Sequence, residues 1–404
     1  MSTPNPESTT STEPERMSGY AKFCVGLLTA LGFSLGCSEF IIIGIQPEIA
    51  EAFHVSLAQT GVLMSMFSIV YAVLTPLLAL TTGRFSRRTL LVTYCVLYCL
   101  GNGLSVLAVS FEMLLAARLL IGGVSGALLA VGTTFIPDVA GMNRISWCVS
   151  LMYAAFSVAL VICTPVCHYI AAMWDWHLAM IGTFAMTVIV CSALVALLPR
   201  TGATDAPATA RDQLPLLRDP RMLSGMAIFF FGVGSMYVFY GYITPYLEDF
   251  LGMSAVEASG TLMAYGAMCC ISNLISGWGD THFGLKTLLV SFSVQGLLLL
   301  ALWAVGPAMP WALGVVLALG ITMYVVSTPC VSMFMTTAAE KYPQALTLAS
   351  SLEPTSFNIG IAFGTAVGGM VISGPGMGYV GLVGALFSIP ALIITALAVR
   401  ISQR

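Results

Sequence analysis

The chain of 404 residues is 58% hydrophobic and only 8% charged, with a mean hydropathy of +0.94. Soluble proteins carry roughly 25% charged residues, so a water-soluble globular enzyme is excluded, and the apolar character runs too far along the chain for a single-pass receptor. Fifteen basic against 18 acidic residues give a net charge of −3, which offers no basic surface for nucleic acid.

Residues 1–19 are rich in Ser, Thr, Pro and Glu. That composition cannot bury a core and predicts a disordered cytoplasmic tail, without the basic start and apolar run of a signal peptide. Twelve apolar stretches follow, each near the ~20 residues that cross a bilayer as a helix. They are 20–44, 57–80, 89–109, 112–136, 146–171, 178–198, 222–245, 256–277, 287–305, 310–334, 346–372 and 379–399. The runs are solid and rich in Leu, Ala and Gly, unlike the alternating ten-residue strands of a β-barrel. The predicted fold is therefore an all-α polytopic membrane protein with twelve transmembrane helices.

Basic residues mark the cytoplasmic side. With the N-terminus inside, fourteen of the 15 Lys and Arg fall inside and none outside; Arg118 lies within a span. Both termini are then cytoplasmic. All six Trp sit at predicted span ends, where an amphipathic ring fits the headgroup layer. The eleven Cys lie in or beside spans and read as small packing thiols, not as disulfides or a metal site.

The chain repeats itself. Arg88-Thr89-Leu90-Leu91-Val92 returns as Lys286-Thr287-Leu288-Leu289-Val290 at offset 198, as do Pro47 with Pro245 and Ser56 with Ser254. Ser56 with Gln59, and Ser254 with Glu257, each form a capping box that starts a helix. Phe156, Thr164 and Val166 return as Phe357, Thr365 and Val367 at offset 201. Two pseudo-symmetric six-helix halves follow, 20–198 and 222–404, joined by a cytoplasmic linker, 199–221. Parallel halves of this kind bind solute between them near the midplane.

Several motifs carry a family resemblance over about residues 20–400. They are Gly83-Arg84-Phe85-Ser86-Arg87-Arg88 between spans 2 and 3, and Arg118 followed by Gly122, Gly123, Ser125 and Gly126 in span 4. Span 5 adds Cys163-Thr164-Pro165-Val166-Cys167, and span 11 adds Asn358, Gly360, Ala362 and Gly364, then Gly368-Gly369. Ser38-Glu39-Phe40 and Pro47-Glu48-Ile49 complete the set. The chain resembles the major facilitator superfamily, in particular the twelve-span drug:proton antiporters of the arabinose-efflux-permease type. Gly83 stands where the loop motif has Asp, and Cys163 and Cys167 replace the span-5 glycines. The resemblance implies a conformational gate at Arg84, Arg87 and Arg88, with Asp138 as substitute partner and Asp280 in the second copy.

Ionisable residues within spans are costly and therefore functional candidates. Glu39 lies eight residues before Pro47, roughly 12 Å deep, and Arg118 lies eight residues after Ser110 at similar depth. A buried carboxylate beside an Arg can take up and release a proton; the alternative is a static ion pair holding span 1 to span 4. Glu353, next to Pro354 in span 11, is either a second proton or cation site or a boundary residue reaching for water. Tyr237 and Tyr240, three apart on one face of span 7, are candidate cavity residues, whereas Tyr242 and Tyr246 suit an interface belt. Asn358 either contacts solute or ties span 11 to a neighbour, and His168 either relays protons or fills space and bonds a neighbour. The stripe Gly122, Ser125, Gly126 and Gly132 suits a helix-packing seam or a cavity wall, the seam first.

The chain has no phosphate-binding loop, no HExxH and no nucleophile–base set, so catalysis is not expected. The reading is a monomeric, multi-pass exporter of the cytoplasmic membrane. It moves small organic solutes by alternating access, uses the proton gradient and needs no cofactor. The alternatives are a facilitator or uptake permease of the same fold and, remotely, a membrane-embedded enzyme.

Overall fold

The computed structural model describes residues 18–82, 85–141, 144–199 and 214–402. Nearly all of the expected tail, Arg84 and most of the linker lie outside them. Twelve helices long and apolar enough to cross a membrane follow one another. We number them α1 (Gly19–Gly44), α2 (Leu57–Thr81), α3 (Arg87–Val106), α4 (Phe111–Thr133), α5 (Ile145–Met173) and α6 (Trp176–Leu197). The second half holds α7 (Pro220–Tyr240), α8 (Ala255–Phe283), α9 (Lys286–Val305), α10 (Met309–Thr322, resuming at Ser327–Lys341), α11 (Leu346–Ser373) and α12 (Val380–Ser402).

The helices start where the sequence caps them. Both capping boxes form: Ser56 accepts from the Gln59 amide and Ser254 from the Glu257 amide, and each N3 side chain answers the cap residue's own N–H. The repeat is equally concrete. The Ser34 and Thr187 hydroxyls meet at 3.3 Å and tie α1 to α6, and Ser388 donates to Ser235 at 3.3 Å and ties α12 to α7. Both residues of the second pair lie 201 positions after those of the first.

Close approach is bought by glycine. A Cβ on Gly360, Gly364 or Gly368 of α11 would stand 2.8, 2.4 or 2.6 Å from a backbone carbonyl of α7. The predicted stripe on α4 does seat it on α2, since a Cβ at Gly122 would meet the Phe67 carbonyl at 2.6 Å and one at Gly126 the Thr75 hydroxyl at 1.9 Å. Gly132 faces α1 instead, beside Leu28 and Leu31.

Four details differ from the sequence expectation. Span 10 is not continuous, because Pro329 has no N–H to give the carbonyl of Val325 four residues back. The Ser276 hydroxyl of α8 takes that carbonyl at 2.9 Å and accepts from the Thr328 amide at 3.1 Å, while Ser272 accepts from Tyr324 at 2.8 Å. Span 7 ends at Tyr240, five residues early, and a π-helical turn over Tyr246–Phe250 leads on. Trp176 does not sit in a headgroup belt: it is buried, edge-on to Phe53 at 5.7 Å, and seats the short helix Gln46–Phe53. Tyr242 and Tyr246 are likewise buried, Tyr242 against the glycines of α2 and α11 and Tyr246 between Phe239 and Phe250.

Candidate functional site

Glu39 and Arg118 are brought together, though not through the expected charge contact. Arg118 is 1% exposed and donates to the backbone carbonyls of Ser38 and of Glu39, the latter at 3.1 Å. Its guanidinium lies over the Phe67 ring, 4.3 Å from the centroid. No ion pair within 4 Å joins it to the Glu39 carboxylate among the described residues, and Glu39 Oε2 is buried without a hydrogen-bond partner. The charge of Arg118 is nonetheless felt at Glu39. A polar network fixes this part of α1: Ser38 bonds the Tyr98 hydroxyl at 2.6 Å and donates to Asn102 at 2.9 Å.

Glu353 is half-buried and turns towards the other half, where its charge reaches Glu39, Tyr71 and Tyr153. From the C-terminal half, Tyr237 and Tyr324 lie within electrostatic range of Glu39. Tyr237 is fully buried with an unpartnered hydroxyl and meets Tyr240 edge-on at 5.3 Å. Tyr240 stacks on Tyr265 at 5.0 Å, and Tyr324 stacks on Phe357 at 5.6 Å. Tyr240 therefore sits within an aromatic cluster of the C-terminal half. Asn358 donates to the Pro354 carbonyl of its own helix at 3.1 Å, and its buried Oδ1 has no partner. A cavity of about 490 Å³ between α3 and α6, with Cys95, Cys99 and Cys191 in its wall, lies apart from all of these.

At the end that carries the termini, Arg87 pairs with Asp138 at 3.3 Å, donates to the Thr134 carbonyl at 2.6 Å and lies 5.8 Å from the Phe135 ring. Arg88 donates to the Val195 carbonyl, and to that of Leu198 at 3.4 Å. The two arginines thus clamp the start of α3 to the ends of α4 and α6, where helix carbonyls lack intrahelical partners. Asp280 lies in a small polar pocket with Arg221, Ser332 and Thr337, and hydrogen-bonds Ser332.

A sequence model of the Major Facilitator Superfamily matches residues 28–353. The chain belongs to this superfamily. Among its relatives, the uncharacterized MFS-type transporter YtbD of Bacillus subtilis (strain 168) is 27% identical over 369 residues, 91% of this chain and 93% of its own. The inner membrane transport protein YdhP of Escherichia coli (strain K12) is 28% identical over 383 residues, 93% and 95% of the two chains. The solved structure of a bacterial homolog of the human lysosomal transporter Spinster, inward-facing and unoccupied, superposes with a TM-score of 0.79 at 16% identity. It covers 95% of this chain and 98% of that one, and shows the shared fold. As a member of this transporter superfamily, the chain is a multi-pass membrane transporter of small solutes and not an enzyme.

Within that fold, sequence reasoning missed several polar residues between the halves. Gln46 is fully buried and both of its amide atoms lack partners. Tyr71 is buried and feels the charges of both Glu39 and Glu353, whereas Tyr153 feels that of Glu353. His168 is fully buried and does bond a neighbour, the Gly44 carbonyl at 2.9 Å, but it also reaches the other half. One signal was available: Glu48 follows Pro47 in a motif already singled out, one turn beyond the end of α1.

Proposed function

We propose that the protein is a proton-coupled efflux antiporter for small organic solutes, of the twelve-span drug:proton type, working by alternating access in the cytoplasmic membrane as a monomer. The observation that carries this reading is Glu39, a carboxyl 3% exposed within α1, with Oε2 unpartnered and Arg118 bound to the same turn. Such a group has room to hold a proton in one state and release it when the halves rearrange around it. Arg118 is the charge that favours release. Glu353 is the second acidic position facing the same region, with Tyr237, Tyr240 and Asn358 as candidate solute contacts. The arrangement draws on the proton gradient and calls for no cofactor. The distribution of Lys and Arg supports placing the terminal end in the cytoplasm. Arg87–Asp138 and Asp280 then serve as conformational clamps on that side.

Substrate-induced proton movement in inside-out vesicles tests the reading, with a ΔpH-reporting dye and a panel of organic solutes. The wild type gives a signal, and Glu39→Gln abolishes it while inserting normally. An equal signal in both would remove Glu39 from the mechanism and leave Glu353 as the carrier. Solute flux without any proton signal would favour a facilitator.

A further inference from the structure

The end of the molecule opposite the termini is closed by polar contacts between the halves. Thr244, just beyond α7, donates to the Ile43 carbonyl of α1 at 2.6 Å. Beside it, His168 of α5 stands between two carboxyl groups. Its Nδ1 lies 2.9 Å from the Gly44 carbonyl and 3.9 Å from Glu48 Oε1, and its Nε2 lies 3.3 Å from Glu248 Oε1. Glu48 belongs to the N-terminal half, on the helix Gln46–Phe53, and Glu248 to the C-terminal half, on the turn Tyr246–Phe250.

Hydrogen counting makes this cluster informative. A carbonyl can only accept, so Nδ1 carries a hydrogen when it bonds Gly44. In a neutral imidazole Nε2 then presents a lone pair, and so does an ionised Glu248. Two lone pairs at 3.3 Å repel; Nε2 is buried without a hydrogen-bond partner, and one further proton, on Nε2 or on the carboxyl, makes the contact attractive. The titratable groups facing His168 are Glu48 and Glu248, with Glu51 coupled to Glu48 and Asp249 to Glu248. All four are acidic, so nothing titratable except a proton balances them. Burial pushes the Glu48 carboxyl up to about 7 and raises that of Asp249 as well.

We propose that His168 and Glu248, flanked by Glu48, form a second proton-binding site that locks the two halves together at this end, independently of Glu39. The face closes with the proton held between Nε2 and the Glu248 carboxyl. When the proton leaves, the two lone pairs repel and the face opens.

Distances across this face decide the matter. Spin labels carried on non-natural amino acids replace the exposed Ala52 and Val256, which avoids the native thiols, in full-length protein in lipid nanodiscs. From pH 6 to pH 8.5 the open population of the wild type rises about tenfold, the effect of one linked pKa unit. His168→Phe, which has no nitrogen to hold the proton or bond Glu248, is open at both pH values. Glu248→Gln is closed at both, because its amide donates to a neutral imidazole without an extra proton. Glu248→Gln is compared with its parent in the native and in the Glu39→Gln background and removes the same part of the response in both, so failure of the transport reading leaves this result standing. A wild type indifferent to pH, or a Glu248→Gln that follows its parent in either background, would overturn the proposal. If His168→Phe does not fold, the opposite sign expected of Glu248→Gln decides alone.

Discussion

Arg118 illustrates what a single buried charge contributes. It holds two carbonyls of α1, stacks on Phe67 and offsets Glu39. Arg118→Ala removes two hydrogen bonds from a charged donor to the carbonyls of Ser38 and Glu39, worth about 1.5–3 kcal/mol each. Arg118→Lys keeps the charge, but a point-like ammonium cannot span both carbonyls and cover the ring as a planar guanidinium does. Thermal unfolding in detergent should rank wild type above Lys and Lys above Ala; a Lys variant that melts with the wild type would mean that geometry contributes nothing. Glu48 gives a pH prediction at the same scale. Its folded-state pKa of about 7 exceeds the ~4.3 of an unfolded Glu, so the folded protein holds the extra proton between those values. Its contribution is complete below about pH 4.3 and is lost as pH rises through 7. Relative to Glu48→Gln, the wild type should therefore lose melting temperature from pH 5 to pH 8, and a constant difference would refute it. The cost of burying charge made Glu39 and Arg118 legible in the sequence. The mode of their contact was not legible, because a guanidinium has five donors and backbone carbonyls carry no sequence signature. For His168 the sequence left a proton relay and a space-filler side by side, since its partner Glu248 lies 80 residues away in the other half and no local periodicity joins them.

At the scale of one element, the break in α10 shows how irregular backbone survives at membrane depth, where water cannot satisfy it. Ser276 supplies both an acceptor for Thr328 and a donor for the Val325 carbonyl that Pro329 leaves free. Ser276→Ala strands both groups and should cost about 1–3 kcal/mol. Pro329→Ala restores an N–H able to reach Val325, so it should recover part of that loss in the double variant. The coupling is read from a double-mutant cycle of thermal unfolding. Additive effects would show that the Val325 carbonyl is not what the two residues share. Span existence was legible here because apolar length alone identifies a crossing. The break was not, because hydropathy averages over the four residues between Thr322 and Ser327. Pro329 was the local sign of it. Trp176 fails the belt expectation for a related reason: the helix Gln46–Phe53 covers it, and that helix is too short to register as a span.

Across the whole molecule, the described hydrogen bonds and ion pairs between the halves gather at one end. Thr244 with Ile43 and His168 with Glu248 join the halves opposite the termini. The clamps at the other end, Arg87–Asp138 and Lys341–Asp219, each stay within one half. The repeat that divides the chain was visible in its offsets of 198 and 201, and the paired hydroxyl contacts of α1–α6 and α7–α12 show it in three dimensions. Which end is closed was not visible, because a repeat fixes the symmetry of the halves and not their tilt. This asymmetry makes Thr244 a test of rocking. Thr244→Val keeps the shape and removes one hydrogen bond between neutral groups, worth about 1 kcal/mol, or roughly fivefold in the closed-to-open ratio. Amide hydrogen exchange should quicken by about that factor over residues 43–53 and 243–250, and stay unchanged in α9 and α12, which lie wholly within one half. Faster exchange throughout would instead mean that Thr244 supports the fold, and no change would mean that the closed face does not depend on its bond to Ile43.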